Sequence, residues 1–123
     1  MLKISNLHVN YGHVEALKGI DFKIKEGQII SLIGANGAGK STLLKSISGL
    51  LSVKEGEVLF LDETILKTPP EKIVEKGVIH VPEGRRIFEG MSVYENLLLG
   101  AFTRKDKDQV EREIESMFEK FPI

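Results

Sequence analysis

Gly34-Ala35-Asn36-Gly37-Ala38-Gly39-Lys40-Ser41 decides the fold. Its spacing, G-x-x-x-x-G-K-[ST], is that of a loop whose backbone amides wrap phosphate. Before it, Gln28 leads into the apolar run Ile29-Ile30-Ser31-Leu32-Ile33, which predicts a strand covered on both faces, as in a parallel sheet. After it, Leu43, Leu44, Ile47 and Leu50 recur at helical spacing around Gly49. Strand, glycine-rich loop and helix in that order predict an α/β chain organised around a phosphate site.

Each residue type in the loop has a physical task. Glycines reach backbone conformations that a β-carbon forbids, so successive N–H groups can turn inward and form an anion nest. A helix starting near Gly39 adds the positive end of its dipole and its unpaired N–H donors. Lys40 can reach the β and γ phosphates as a mobile cation, Ser41 offers a hydroxyl to Mg²⁺, and Thr42 offers a further phosphate contact. These residues imply a triphosphate bound with Mg²⁺. A charged hydrogen bond of this kind is worth about 1.5–3 kcal/mol, so Lys40→Ala is expected to weaken nucleotide binding roughly ten- to a hundredfold.

Composition narrows the rest. The chain has 123 residues, enough for one domain with a core, and 41% of them are hydrophobic. Seventeen basic residues against eighteen acidic ones give no general pull towards nucleic acid or anionic lipid, so phosphate binding has to be local. Without cysteine, disulfides, thiolate zinc sites and thiol nucleophiles are excluded. The start lacks a secretory pattern, and no apolar run approaches the roughly 20 residues needed to span a bilayer, so a soluble cytosolic chain is expected.

Along the chain, Leu2, Ile4, Leu7 and Val9 predict a half-buried strand with an irregularity near Asn6, broken at Tyr11-Gly12. Ile20, Phe22 and Ile24 alternate with Asp21, Lys23 and Lys25 in a second strand. Val58 and Phe60 suggest a third, and Val78-Ile79-His80-Val81 a buried strand ended by Pro82. Thr68-Pro69-Pro70-Glu71 reads as a capping box for a short helix from about Pro69 to Lys76. Ser92-x-x-Glu95 and Asp106-x-x-Gln109 read as boxes for two more, the last carrying the apolar stripe Val110, Ile114, Met117, Phe118 and Phe121. His8, His13 and His80 show no acid or nucleophile partner and read as structural; Met91, Met117 and the phenylalanines read as core.

Two blocks carry a family resemblance. Residues 2–56, with Tyr11, Leu17-Lys18-Gly19-Ile20, Gly27-Gln28 and the loop through Leu44, resemble the nucleotide-binding subunit of ABC transporters. The second block, Val81-Pro82-Glu83-Gly84-Arg85-Arg86-Ile87-Phe88 followed by Met91-Ser92-Val93-Tyr94-Glu95-Asn96-Leu97, is similar to the LivF-type ATPases of branched-chain amino acid transport. The resemblance implies a partial P-loop NTPase core with an N-terminal antiparallel β subdomain, about 1–88, and the start of a helical subdomain, about 89–123.

It also implies roles. Tyr11, which read alone is a packing residue at a strand end, would stack on adenine. Gly34, Ala35, Asn36, Gly37, Ala38, Gly39, Lys40, Ser41 and Thr42 would hold the phosphates of ATP, with Lys40 stabilising charge in the reaction. Ser41 and Glu83 would face Mg²⁺, although most ABC proteins have glutamine where this chain has Glu83. Read alone, Glu83 is a solvated loop acid, and Arg85 and Arg86 are cations able to offset it or lie in water. Implied partners are transmembrane permease subunits, a second ABC ATPase subunit and, indirectly, an external solute-binding protein; the place is the inner face of the cell membrane.

The family's Leu-Ser-Gly-Gly signature, its Mg²⁺-binding Asp, its catalytic Glu and its switch His have no counterpart in these 123 residues. The expectation is therefore half of a family domain, a binding half-site without its general base, inactive and unstable or self-associating by itself. Two other readings stay open: a nucleotide-binding module without hydrolysis, and the ATPase of a related amide, urea or other amino-acid importer. A GTPase lacks support, because no Asn-Lys-x-Asp occurs.

Overall fold

A computed structural model describes residues 1–84 and 86–122. Arg85, with its expected charge-offsetting role, and Ile123 lie outside the described residues. The chain divides into two compact units, Met1–His80 and a second from Val81 onward.

The first unit is built on a four-stranded antiparallel sheet of order β2-β1-β3-β4, from β1 (Leu2–Tyr11), β2 (Val14–Ile24), β3 (Glu55–Phe60) and β4 (Glu63–Thr64). β1 and β2 meet through Gly12-His13, where Gly12 has φ 57, the left-handed first position of a tight hairpin turn. The irregularity expected near Asn6 is a shift in register on both sides of β1, with Asn6 at φ 47. Its amide donates to Asp21 Oδ1 (2.9 Å) and its Nδ2 to Glu55 Oε1 (3.0 Å), so the kink leaves these donors satisfied.

One face of the sheet buries Ile4, Leu7, Val9, Leu17 and Val58 against Leu43 and Ile47 of α1 (Lys40–Ile47), with Ile65 and with Ile73 of α2 (Pro70–Glu75). Fully burying such an aliphatic side chain contributes about 1.5–3 kcal/mol, and this cluster is what docks α1 on the sheet. α1 ends by wrapping its last carbonyls: Gly49, at φ 71, donates to Ser46 O and Leu50 donates to Lys45 O.

α2 corrects one expectation. Its N-cap is Pro69, with φ −58 and ψ 143, and no side-chain capping bond forms from Thr68. A residue before proline is pushed out of the helical region, so Pro70 forces Pro69 to be the extended residue and shifts the start by one. The predicted stop holds: Gly77, at φ 97, donates to Val74 O.

Two expected strands are absent. Residues 28–33 and 78–81 are coil, and Ile29 and Ile33 are 99% and 97% exposed. A strand is a pairing, not a property of one segment, and no described strand runs beside either run to complete a ladder.

In the second unit, α3 (Val93–Gly100) begins with the predicted capping box: Ser92 Oγ accepts from Glu95 N, and Glu95 Oε2 accepts from Ser92 N. α4 (Lys107–Lys120) starts after Asp106, but the predicted box does not form. The Asp106 carboxylate is taken by Arg104, and Gln109 turns to Glu113, because a charged pair outcompetes a neutral amide. Val110 and Ile114 are buried, and Met117 and Phe118 half-buried, whereas Phe121 is exposed. Phe88, Met91 and Phe102 are exposed as well, against their expected core role; a pair of short helices offers too little surface to cover them.

Candidate functional site: the phosphate loop

The segment Gly34–Ser41 leaves the loop at Gly39, the N-cap of α1 at φ 91, and its last two residues, Lys40 and Ser41, open the helix. A β-carbon there would lie 2.7 Å from Leu17 Cδ2 and 3.0 Å from the Ala16 carbonyl oxygen, so only glycine lets the chain turn into the helix this close to β2. Gly37, at φ 86, has nothing within 4 Å of its own β-carbon position and lies open. The Ala38 amide donates to Ala35 O (3.1 Å), closing a turn within the loop. Lys40 Nζ folds back over it and donates to Gly34 O (2.6 Å) and Ala35 O (2.7 Å).

The arrangement suits an anion. Leu43 N makes the first intrahelical bond, to Gly39 O, which leaves the earlier N–H groups without an intrahelical acceptor. No side chain caps them, and no acidic residue stands in the first turn. Residues 34–38 and Ser41 are exposed, and Lys40 is half-buried with its ammonium on the loop's own carbonyls, so the segment before the helix is open to an incoming anion. Thr42 is 8% exposed and faces the core side of α1, where Ser46 Oγ donates to its carbonyl. The residues therefore fit a polyphosphate, which Gly34–Ser41 would hold through backbone donors while Lys40 supplies charge.

Tyr11 ends β1 opposite Val14 and is 47% exposed. Its ring belongs to the same unit as the loop. Glu83 is exposed and belongs to the second unit, where Arg86 Nε donates to its carbonyl at 3.4 Å. Of the histidines, His13 is exposed in the hairpin turn and His80 is half-buried. His8 does have an acid partner, Glu15, at 2.8 Å; the sequence reading missed it because the pairing crosses a shifted register. Leu17 was equally unmarked as a neighbour of the loop, since no spacing rule links it to Gly39.

The model of the ABC transporter family matches residues 17–123. The BraG protein of Pseudomonas aeruginosa, a high-affinity branched-chain amino acid transport ATP-binding protein, is 38% identical over 122 residues, covering 99% of this chain and 52% of that one. The probable branched-chain amino acid transport ATP-binding protein LivF of Archaeoglobus fulgidus is 36% identical, with 99% and 51% covered. The phosphonates import ATP-binding protein PhnC of Fusobacterium nucleatum is 38% identical over 112 residues, with 89% and 45% covered. Among solved structures, the ATP-binding cassette MJ1267 in its ADP conformation superposes with a TM-score of 0.76 at 32% identity, covering 85% of this chain and 41% of that one. The dimeric cassette MJ0796 superposes at 0.75 with 25% identity, covering 94% and 55%.

The chain spans about half the length of the curated relatives it matches. No described helix is long and apolar enough to cross a membrane. With a glycine-rich loop packed on an antiparallel sheet through Leu17, and a family match running from Leu17 through that loop to the last residue, the chain belongs to the ABC transporter family.

Proposed function

We propose that this chain is part of the ATP-binding subunit of an ABC importer, in which ATP binding and hydrolysis by the whole protein drive uptake of branched-chain amino acids. The observation that carries the reading is the loop: no side chain caps the start of α1, the glycine at 37 lies open, and the Lys40 ammonium lies against the loop's own carbonyls. Gly34 through Ser41 hold the phosphates, joined by Thr42 through its backbone amide alone because its side chain is buried; Ser41 presents its hydroxyl to Mg²⁺, and Tyr11 supplies the adenine face. Residues of about 1–88 form the β subdomain and phosphate core, and those from about 89 begin the helical subdomain.

The solute assignment rests on the two branched-chain relatives, and the phosphonate relative keeps another import substrate in view. The dimeric cassette supports a second ATPase subunit as partner. Transmembrane permeases, an external binding protein and a place on the inner membrane face complete the assembly.

Calorimetry with Mg-ATP and with Mg-GTP tests the site. ATP should bind with Mg²⁺ dependence and ahead of GTP, and Lys40→Ala should weaken it roughly ten- to a hundredfold. A folded protein with no magnesium-dependent ATP uptake would remove the reading, and equal GTP binding would remove Tyr11 from it. Uptake of labelled leucine, isoleucine and valine by cells lacking the gene tests the solute; undiminished uptake would exclude these amino acids.

A further inference from the structure

We infer that Leu17 is a positioning residue for the phosphate loop, a wedge through which the β1–β2 hairpin sets the place of Gly39 and the amides that follow it. The inference rests on the nucleotide reading of the loop and names what holds that loop in place.

Leu17 is buried at 3% exposure in the cluster that joins β1 and β2 to Leu43 and Ile47. Its Cδ2 closes on Gly39 so tightly that a β-carbon there would lie 2.7 Å away, while the Ala16 carbonyl presses from beside it. Elsewhere the loop has little support. Gly37 has no neighbour within 4 Å of its β-carbon position, and Gly34's comes only from Ala38 and Lys40 of the loop itself. The segment leading in, Ile29 to Ile33, is exposed and pairs with no described strand. Gly39 is thus where the loop meets the sheet, and Leu17 is the side chain that meets it.

The register extends the consequence. Leu17 lies opposite Val9, and the same ladder runs on to Tyr11 opposite Val14. The residue that seats the loop and the one assigned to adenine therefore belong to a single hairpin. Moving Leu17 should disturb phosphate binding even when no base is present; removing Tyr11 should not.

The test measures binding of Mg-ATP and of Mg-tripolyphosphate, which has no base, to the intact protein and to Leu17→Ala, Leu17→Met and Tyr11→Ala. A core control, Val58→Ala on β3, removes packing from the same cluster without touching Gly39, whose β-carbon position meets only Leu17 and Ala16. Leu17→Ala is expected to weaken both ligands by about tenfold, and Leu17→Met, which nearly conserves volume, to restore them. Tyr11→Ala should weaken ATP and leave tripolyphosphate unchanged, and Val58→Ala should leave both unchanged. Should Leu17→Ala not fold, Leu17→Val carries the test with a smaller loss. A folded Leu17→Ala or Leu17→Val that binds tripolyphosphate like the unsubstituted protein overturns the inference, as does an equal loss in Val58→Ala. Failure of the unsubstituted protein to bind either ligand overturns the nucleotide reading, and this inference with it.

Discussion

His8 on β1 places Nδ1 2.8 Å from the Glu15 carboxylate on β2, while its Nε2 lies 3.0 Å from Asn6 Oδ1 at the kink of its own strand. The ring thus ties the shifted part of β1 to β2, and Asn6 passes the tie on to Glu55 of β3. The hydrogen bond from His8 holds the Glu15 carboxyl below its ordinary value of 4.5, against a smaller opposing effect of desolvation and with help from the charges of His8, Lys54 and Lys18. A carboxyl lowered on folding stabilises the fold above its ordinary value, and that stabilisation fades as pH falls through the folded value. Thermal melts from about pH 6 downward should therefore show the unsubstituted protein losing its margin over Glu15→Gln below about pH 4.5. Parallel curves for the two proteins would mean that the pair does not support the hairpin.

Gly56, the second residue of β3, lies at φ 105 directly against the kink, where a β-carbon would come within 2.3 Å of the Asn6 carbonyl oxygen. Backbone cannot retreat as a flexible side-chain tip does. Gly56→Ala should therefore cost about 2–4 kcal/mol, combining the left-handed strain with a clash. Chemical denaturation measures it, and a loss under about 1 kcal/mol would show that the β1–β3 pairing shifts at little expense.

The β3–β4 turn carries the opposite opportunity. Leu61 and Asp62 both have positive φ, 50 and 64, in a two-residue loop that favours Asn and Gly. Leu61 is exposed, so its side chain has little packing to lose. Leu61→Asn should stabilise the protein by roughly 0.5–1 kcal/mol, read as a higher denaturation midpoint at unchanged slope.

What could be read in the sequence was local. The kink at Asn6, the turn at Tyr11-Gly12, the start of α1 at Gly39 and the Ser92 box each depend on a few neighbouring residues, and each is present. The two missing strands needed a partner from elsewhere, whereas the Thr68 and Asp106 boxes were lost to near neighbours, Pro70 and Arg104. Ile29–Ile33 has the composition of a covered strand, but a strand exists only beside another. The Leu61-Asp62 turn escaped notice because a leucine at positive φ contradicts the propensity used to find turns. Within the site, the loop's own residues were legible, and the packing of Leu17 on Gly39 was not, because it depends on how β2 crosses the helix start.

Asn96 gives the stretch before α3 its shape. Its Oδ1 accepts from Phe88 N (3.0 Å), and its Nδ2 lies 3.1, 3.2 and 2.9 Å from the carbonyl oxygens of Phe88, Met91 and Ser92. One side-chain amide thereby closes the chain from Phe88 to the cap of α3 into a loop, with Met91 N donating to Phe88 O inside it. Asn96→Asp is nearly the same shape and keeps the acceptor for Phe88 N, but above its own titration it turns a carboxylate towards three carbonyl oxygens. That exchange should cost about 1–3 kcal/mol, the penalty for breaking one side of a bonded polar set. Hydrogen exchange at the Phe88 and Met91 amides would rise in the variant while exchange in the middle of α4 stays unchanged. Should acidification restore the protection of these amides relative to the unsubstituted protein at the same pH, the repelling charge is the cause; should it not, the loss comes from the missing N–H donors.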